Sequence, residues 1–210
     1  MKSYQPPNIW EPVGFKSSTT RYYKQDSGDA LYRRSIYSFL KRTAPPPFLA
    51  NFDAPSRENF CTRRERSDTP LQALQLLNDV QYFEAARALS QRILHESGTA
   101  PEARLEHAFH VVLTPPPEPR EVERLRALEE RFLAKYQADP AAAQALLANG
   151  ESKPAADRDP AELAAWTKIA QGLGQRLTGV EPASVIKPLL ASRDGATSAV
   201  SRELAGAEEM

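Results

Sequence analysis

Between Phe52 and Asp79 the chain reads Phe-Asp-Ala-Pro-Ser-Arg-Glu-Asn-Phe-Cys-Thr-Arg-Arg-Glu-Arg-Ser-Asp-Thr-Pro-Leu-Gln-Ala-Leu-Gln-Leu-Leu-Asn-Asp, which gathers Asp53, Arg57, Glu58, Cys61, Arg63 and Arg64 into one short stretch. Guanidinium forks match phosphate, sulfate and carboxylate groups bidentately, so the arginines could hold an anion. Asp53 and Glu58 could serve as an acid and base pair of the kind that cleaves glycosidic bonds. Cys61 lies beside Arg63 and Arg64, whose charge would favour its thiolate. The same residues also fit a salt-bridged loop that pins the first third of the chain to the helices after it, with Cys61 as a small, partly buried side chain. Two carboxylates five positions apart in a loop are common, and no residue is assigned a catalytic role by spacing alone.

Other constellations carry less chemistry. His107 and His110 stand three apart with Glu106 and Glu102 near, but a metal centre needs a third ligand and an open position, and no His-Glu-x-x-His string occurs. Both histidines are expected on the wet side of a helix, and no metal is expected. His95, near a helix end, suits the negative pole of the helix dipole. With Cys61 the single cysteine, the Cys-x-x-Cys-His attachment of a c-type haem and any intrachain disulfide are both excluded from this chain. No glycine-rich phosphate cradle is present, so no cofactor is expected. Arginines interleaved with Tyr22, Tyr23, Tyr32 and Tyr37 could stack and neutralise single-stranded nucleic acid. A sequence pI near 6.9 argues against that partner.

These residues must be positioned by elements that the sequence marks clearly in places. Thr69-Pro70 reads as an N-cap followed by a first helical residue, because the threonine hydroxyl accepts an orphan amide and proline lacks that donor. Asn78-Asp79 ends that helix and caps the next, whose apolar face runs through Val80, Phe83, Ala86, Ile93 and Leu94. Leu105, Ala108, Phe109, Val112 and Leu113 form the stripe of a packed amphipathic helix, closed by the proline-rich 114–119 joint. The next helix spans 118–137, with Val122, Leu125, Leu128, Phe132, Leu133 and Tyr136 inward. Asp139-Pro140 opens a short helix ended by Asn149-Gly150, a left-handed stop. Asp159-Pro160 opens another with Leu163, Trp166 and Ile169. Upstream, 30–42 reads as helix-like or mixed, with Leu31, Ile36, Phe39 and Leu40 inward, stopped by Pro45-Pro46-Pro47.

The expected fold is therefore all-α, a bundle of about five helices behind an extended segment rich in proline and aromatics over 1–29. The helical domain is expected to cover 30–170 and a divergent, disordered tail 171–210. In that tail Gly172, Gly174 and Gly179 each weaken a helix by roughly 1 kcal/mol against alanine, leaving at most short helices near 185–191 or 199–205. Length fits one domain of ordinary size: 210 residues, 41% hydrophobic, 26% charged, with 18 prolines. No apolar run approaches the roughly 20 residues that cross a bilayer. Met1 to Trp10 has no apolar core of a secretory signal. The net charge of zero hides a division: residues 1–66 hold 12 Lys plus Arg against 6 Asp plus Glu, residues 67–210 hold 15 against 21. Eleven of the 17 aromatics fall in the basic first part. Such halves could attract each other or face an anionic partner.

The Phe52 to Asp79 string resembles a planctomycete-specific domain of unknown function found at the C-terminus of cytochrome c domain-containing proteins. Tyr4-Gln-Pro-Pro, Leu31-Tyr-Arg-Arg-Ser-Ile-Tyr-Ser-Phe-Leu-Lys-Arg-Thr-Ala-Pro-Pro-Pro47 and Asp159-Pro-Ala-Glu-Leu-Ala-Ala-Trp-Thr167 carry the same resemblance, over about residues 4 to 170. After Ala170 the chain departs from the family pattern as a shifted reading frame would make it depart. It is therefore expected to be a truncated copy with a replaced end. The resemblance implies a non-catalytic helical accessory or interaction module from a multidomain parent exported to the periplasm or cell envelope. Its partners would be other domains of that parent, the only place for haem. The alternative is part of an enzyme domain acting on an anionic polysaccharide.

Overall fold

A computed structural model describes residues 1–5, 16–18, 21–41, 44–113 and 115–178. Trp10, Phe15 and the expected tail helices lie outside the described residues. Among the described residues there are seven α-helices and no β-strand: α1 (Pro47–Asn51), α2 (Pro70–Asn78), α3 (Val80–Glu96), α4 (Pro101–Val112), α5 (Pro119–Ala138), α6 (Pro140–Leu147) and α7 (Pro160–Thr178). The all-α class stands. Two compact units, Met1–Gln72 and Ala73–Met210, divide the chain inside the span read as one helical domain.

In the first unit most described residues outside the short helices belong to no regular element. The N-terminal ammonium donates to Tyr37 O at 2.6 Å, and Phe39 N donates to Met1 O at 2.7 Å while Asp26 N donates to Lys2 O at 2.9 Å. Residues 1–3 are thus hydrogen-bonded to the chain at Asp26 on one side and at Tyr37 and Phe39 on the other. The Tyr23 hydroxyl donates to Ser3 O at 2.6 Å, and burial pushes its pKa up to about 12. Of the two readings of 30–42, helix-like or mixed, the mixed one fits: the described residues make two 3-10 turns, Gly28–Tyr32 and Ser35–Tyr37. Leu31 and Ile36 are five apart, a spacing no single helical face accommodates. Only Leu31 is buried, and Ile36 turns to solvent.

The second unit holds the apolar core, and α7 is its axis. Leu163, Ala164, Ala165, Trp166, Thr167 and Ile169 are all buried, as are Ala161, Ala170 and Leu173. A helix buried all round belongs inside a bundle, and α3, α4, α5 and α6 each pack on it. Leu105 and Phe109 of α4, Phe132 and Tyr136 of α5 and Leu147 of α6 join the same cluster. The start signals hold: the Asp79 carboxylate accepts from Gln81 N at 2.8 Å, Asp139 from Ala142 N at 3.0 Å and Asp159 from Glu162 N at 3.2 Å. Glu118 and Glu121 make a reciprocal capping box on α5.

One expectation fails at the end of α7. The helix runs through Gly172 and Gly174 to Thr178, because Leu173 and Gln175 are buried and packing outweighs a propensity cost of roughly 1 kcal/mol per glycine. The Gln171 and Gln175 amides donate to Leu77 O and Ala73 O of α2, at 3.2 and 3.3 Å.

Candidate functional site

The loop between α1 and α2 is built from its two ends. Helix α1 closes in a Schellman arrangement: Ala54 N donates to Leu49 O at 2.9 Å and Asp53 N to Ala50 O at 3.2 Å. The left-handed position this requires is filled by Asp53, with φ 55°. Asp is one of the few residues with a side chain that visits this region. Its carboxylate then reaches across the loop, accepting from Ser67 N at 2.7 Å and Ser67 Oγ at 2.8 Å. Those two bonds, and the charge of Arg64 after them, hold its pKa below the ordinary value.

Gln72 completes the clasp. Its amide donates to Asn51 O at 2.8 Å and Ser67 Oγ at 3.0 Å, and its carbonyl accepts from Thr69 N at 3.1 Å. Thr69 Oγ1 accepts from Gln72 N at 3.3 Å in return, which makes Thr69-x-x-Gln72 a capping box. The buried glutamine therefore ties the end of α1 to the start of α2. Everything from Pro55 to Asp68 projects into solvent. A surface loop with clasped ends is the form called an Ω-loop.

The structure does not gather the six sequence-predicted residues into a cleft. Arg57, Glu58, Cys61, Arg63 and Arg64 are exposed, and Arg57 also takes a left-handed turn, φ 62°. Arg64 donates to Phe52 O at 3.2 Å and Asp53 O at 3.5 Å. Glu58 N donates to Ser56 Oγ at 3.3 Å and Cys61 Sγ to Arg63 O at 3.3 Å. The expected burial of Cys61 is corrected: it is exposed. Among the described residues the expected ion pairs of Arg57, Arg63 and Arg64 with carboxylates do not form. The Arg64 guanidinium uses backbone carbonyls, while the Asp53 carboxylate is engaged by Ser67. Phe60, in the same loop, is fully exposed.

Sequence reasoning missed the buried charges of the second unit. Arg87 is 1% exposed. It donates to Leu147 O, to Asn149 O at 2.7 Å and to Ser152 O at 2.6 Å, with Glu84 Oε1 at 3.3 Å. Glu84 accepts from Ser152 N at 2.6 Å, and a Cβ on Gly150 (φ +94°) would stand 2.7 Å from its carboxyl carbon. The expected stop at Gly150 is thus also a packing requirement. Arg104 pairs with Glu162 at 2.7 Å, and Trp166 Nε1 donates to Glu129 Oε1 at 2.9 Å. Burial raises the Glu129 pKa against that bond. Lys168, buried on α7, donates to Gln171 Oε1 at 3.2 Å. Burial, with Lys135 adding like charge, pulls its pKa down to about 8.

His107 and His110 part company: His107 Nε2 meets Glu96 Oε2 at 3.1 Å, while His110 is exposed. Among the described residues no three His, Cys, Asp or Glu side chains are grouped to hold a metal ion, and no helix is long and apolar enough to cross a membrane. A cavity of about 350 Å³ in the second unit lies between Tyr136 of α5, Gln144 of α6 and Asp159 at the start of α7.

The model of one family, PSD1, protein of unknown function (DUF1553), matches residues 1–128. The chain belongs to the PSD1 family. The match takes in the whole clasped loop and α1 to α4, and stops within α5, short of the 4 to 170 expected from the resemblance. The Asp159 to Thr167 string of this PSD1 protein, which builds the axis of its core, lies beyond the matched residues. No curated protein and no solved structure matches the chain.

Proposed function

We propose that this PSD1 protein is a non-catalytic helical accessory module that acts by binding. Its place would be the C-terminal part of a multidomain, cytochrome c-associated protein of the planctomycete cell envelope. The observation that carries the reading is the fate of Asp53. A general acid or nucleophile needs a carboxylate that can face substrate, and this one is spent on Ser67 N and Oγ to close the loop. The remaining candidates stand apart and exposed, as contact groups do. Haem would belong to another domain of the parent, since Cys61 alone cannot attach it.

Two measurements test this. Incubation with polyglucuronate or alginate, read as new reducing ends, should give no turnover by the wild-type chain or by Asp53→Asn. Turnover that Asp53→Asn abolishes would establish the enzyme reading instead. Sequencing and six-frame translation of the surrounding locus should reveal a Cys-x-x-Cys-His motif upstream in the same frame, and a locus without one removes the cytochrome c parent.

A further inference from the structure

The two 3-10 turns leave six consecutive residues, 32–37, exposed just after the buried anchor Leu31. They read Tyr-Arg-Arg-Ser-Ile-Tyr: three large apolar side chains, two guanidinium groups and no acid. The Arg33 guanidinium stacks on the Tyr37 ring, 4.3 Å from its centroid. Stacking fixes the plane of the group and leaves its N–H edge for an oxyanion. Among the described residues no carboxylate pairs with Arg33 or Arg34. Ile36 is 77% exposed, an aliphatic side chain held out to solvent.

We infer that Tyr32, Arg33, Arg34, Ile36 and Tyr37 form a docking surface for a protein partner that presents acidic side chains around an apolar pocket. The inference rests on the binding-module reading and names its surface and partner chemistry. Tyrosine and arginine are the residues that dominate binding energy at protein interfaces. A nucleic acid or a polyuronate would use the arginines and tyrosines, but neither offers a pocket for an aliphatic side chain. Ile36 decides for protein. Charge complementarity supplies the rest, since the first 66 residues hold 12 basic against 6 acidic side chains and a partner of opposite sign gains on-rate and orientation.

Fluorescence anisotropy with four labelled probes tests it: a peptide of alternating Glu and Leu, polyglutamate of equal length, oligo(dT) and oligoglucuronate. The full chain should bind the Glu and Leu peptide more tightly than the other three. Both Ile36→Ser and Arg33→Glu/Arg34→Glu should weaken that binding by about tenfold or more, with unchanged circular dichroism because all three residues are exposed. Tighter binding of oligo(dT) or oligoglucuronate overturns the partner class, and failure of all four probes overturns the inference. Peptide binding that neither variant alters overturns this surface while leaving the binding-module reading intact. Turnover of oligoglucuronate would sink both.

Discussion

Lys168→Met should stabilise the second unit at neutral pH and lose that advantage as the solution becomes alkaline. Lys168 stands in the middle of α7 at 4% exposure. Its ammonium has Gln171 Oε1 at 3.2 Å and lies 5.7 Å from the Phe83 ring centroid, with the like charge of Lys135 acting on it. The fall of its pKa from 10.5 to about 8 corresponds to about 3 kcal/mol for keeping the charge in the folded state. Below pH 8 the folded and unfolded chains are both protonated, and the whole penalty stands. Between 8 and 10.5 the unfolded chain holds a proton that the folded chain has released, so wild-type stability rises with pH, by up to about 1.4 kcal/mol for each pH unit. Above 10.5 the penalty has gone. Methionine keeps the apolar stem and removes the charge, at the cost of leaving Gln171 Oε1 without its donor, about 1 kcal/mol. The variant is therefore expected to be about 2 kcal/mol more stable at pH 7. By pH 10 that advantage should have vanished. Urea unfolding of both chains followed by circular dichroism gives the comparison, and taking the difference cancels Tyr136, whose pKa burial raises to about 12 in each. A difference that stays constant between pH 7 and pH 10, or a destabilised variant at pH 7, refutes the reasoning.

The buried and clasped groups lead to two more expected outcomes. Arg87→Met should destabilise the second unit by about 3 to 5 kcal/mol, since it takes the opposite charge away from the buried Glu84 carboxylate and strips three carbonyls of a donor. Chemical denaturation should show Glu84→Gln/Arg87→Met recovering part of that loss, and strictly additive single changes would contradict the coupling. Asp53→Asn keeps a residue that tolerates φ 55° but removes the carboxylate, so hydrogen exchange at the Ser67 amide should speed up. In the wild-type chain the clasp is present above the ordinary carboxylate pKa and is lost as pH falls through the depressed pKa of Asp53. Unchanged exchange at Ser67 in the variant would show that the clasp does not depend on the charge.

Helix starts and stripes were legible in the amino-acid sequence because their causes lie within a turn or two of the residue concerned. Thr69-Pro70, Asp79, Asp139-Pro140 and Asp159-Pro160 satisfy orphan amides two or three positions away, and α5 buries the Phe132 and Tyr136 side of its own periodic pattern. The capping box at Thr69 and Gln72 is equally local, whereas the reach of the Gln72 amide to Asn51 O is not. What only tertiary structure decided depends on distant partners. Asp53 meets Ser67, fourteen residues on, only after α1 has ended in a left-handed turn. Glu84 and Arg87 look like an ordinary exposed pair at helical spacing until the 147–152 segment closes over them. The same holds for α7, where glycines that would end an isolated helix stay helical once α2 to α6 surround it. Local hydrogen bonding acts over a few residues and is written in their order, whereas burial belongs to whatever arrives from elsewhere in the chain, so it appears only when the chain has folded.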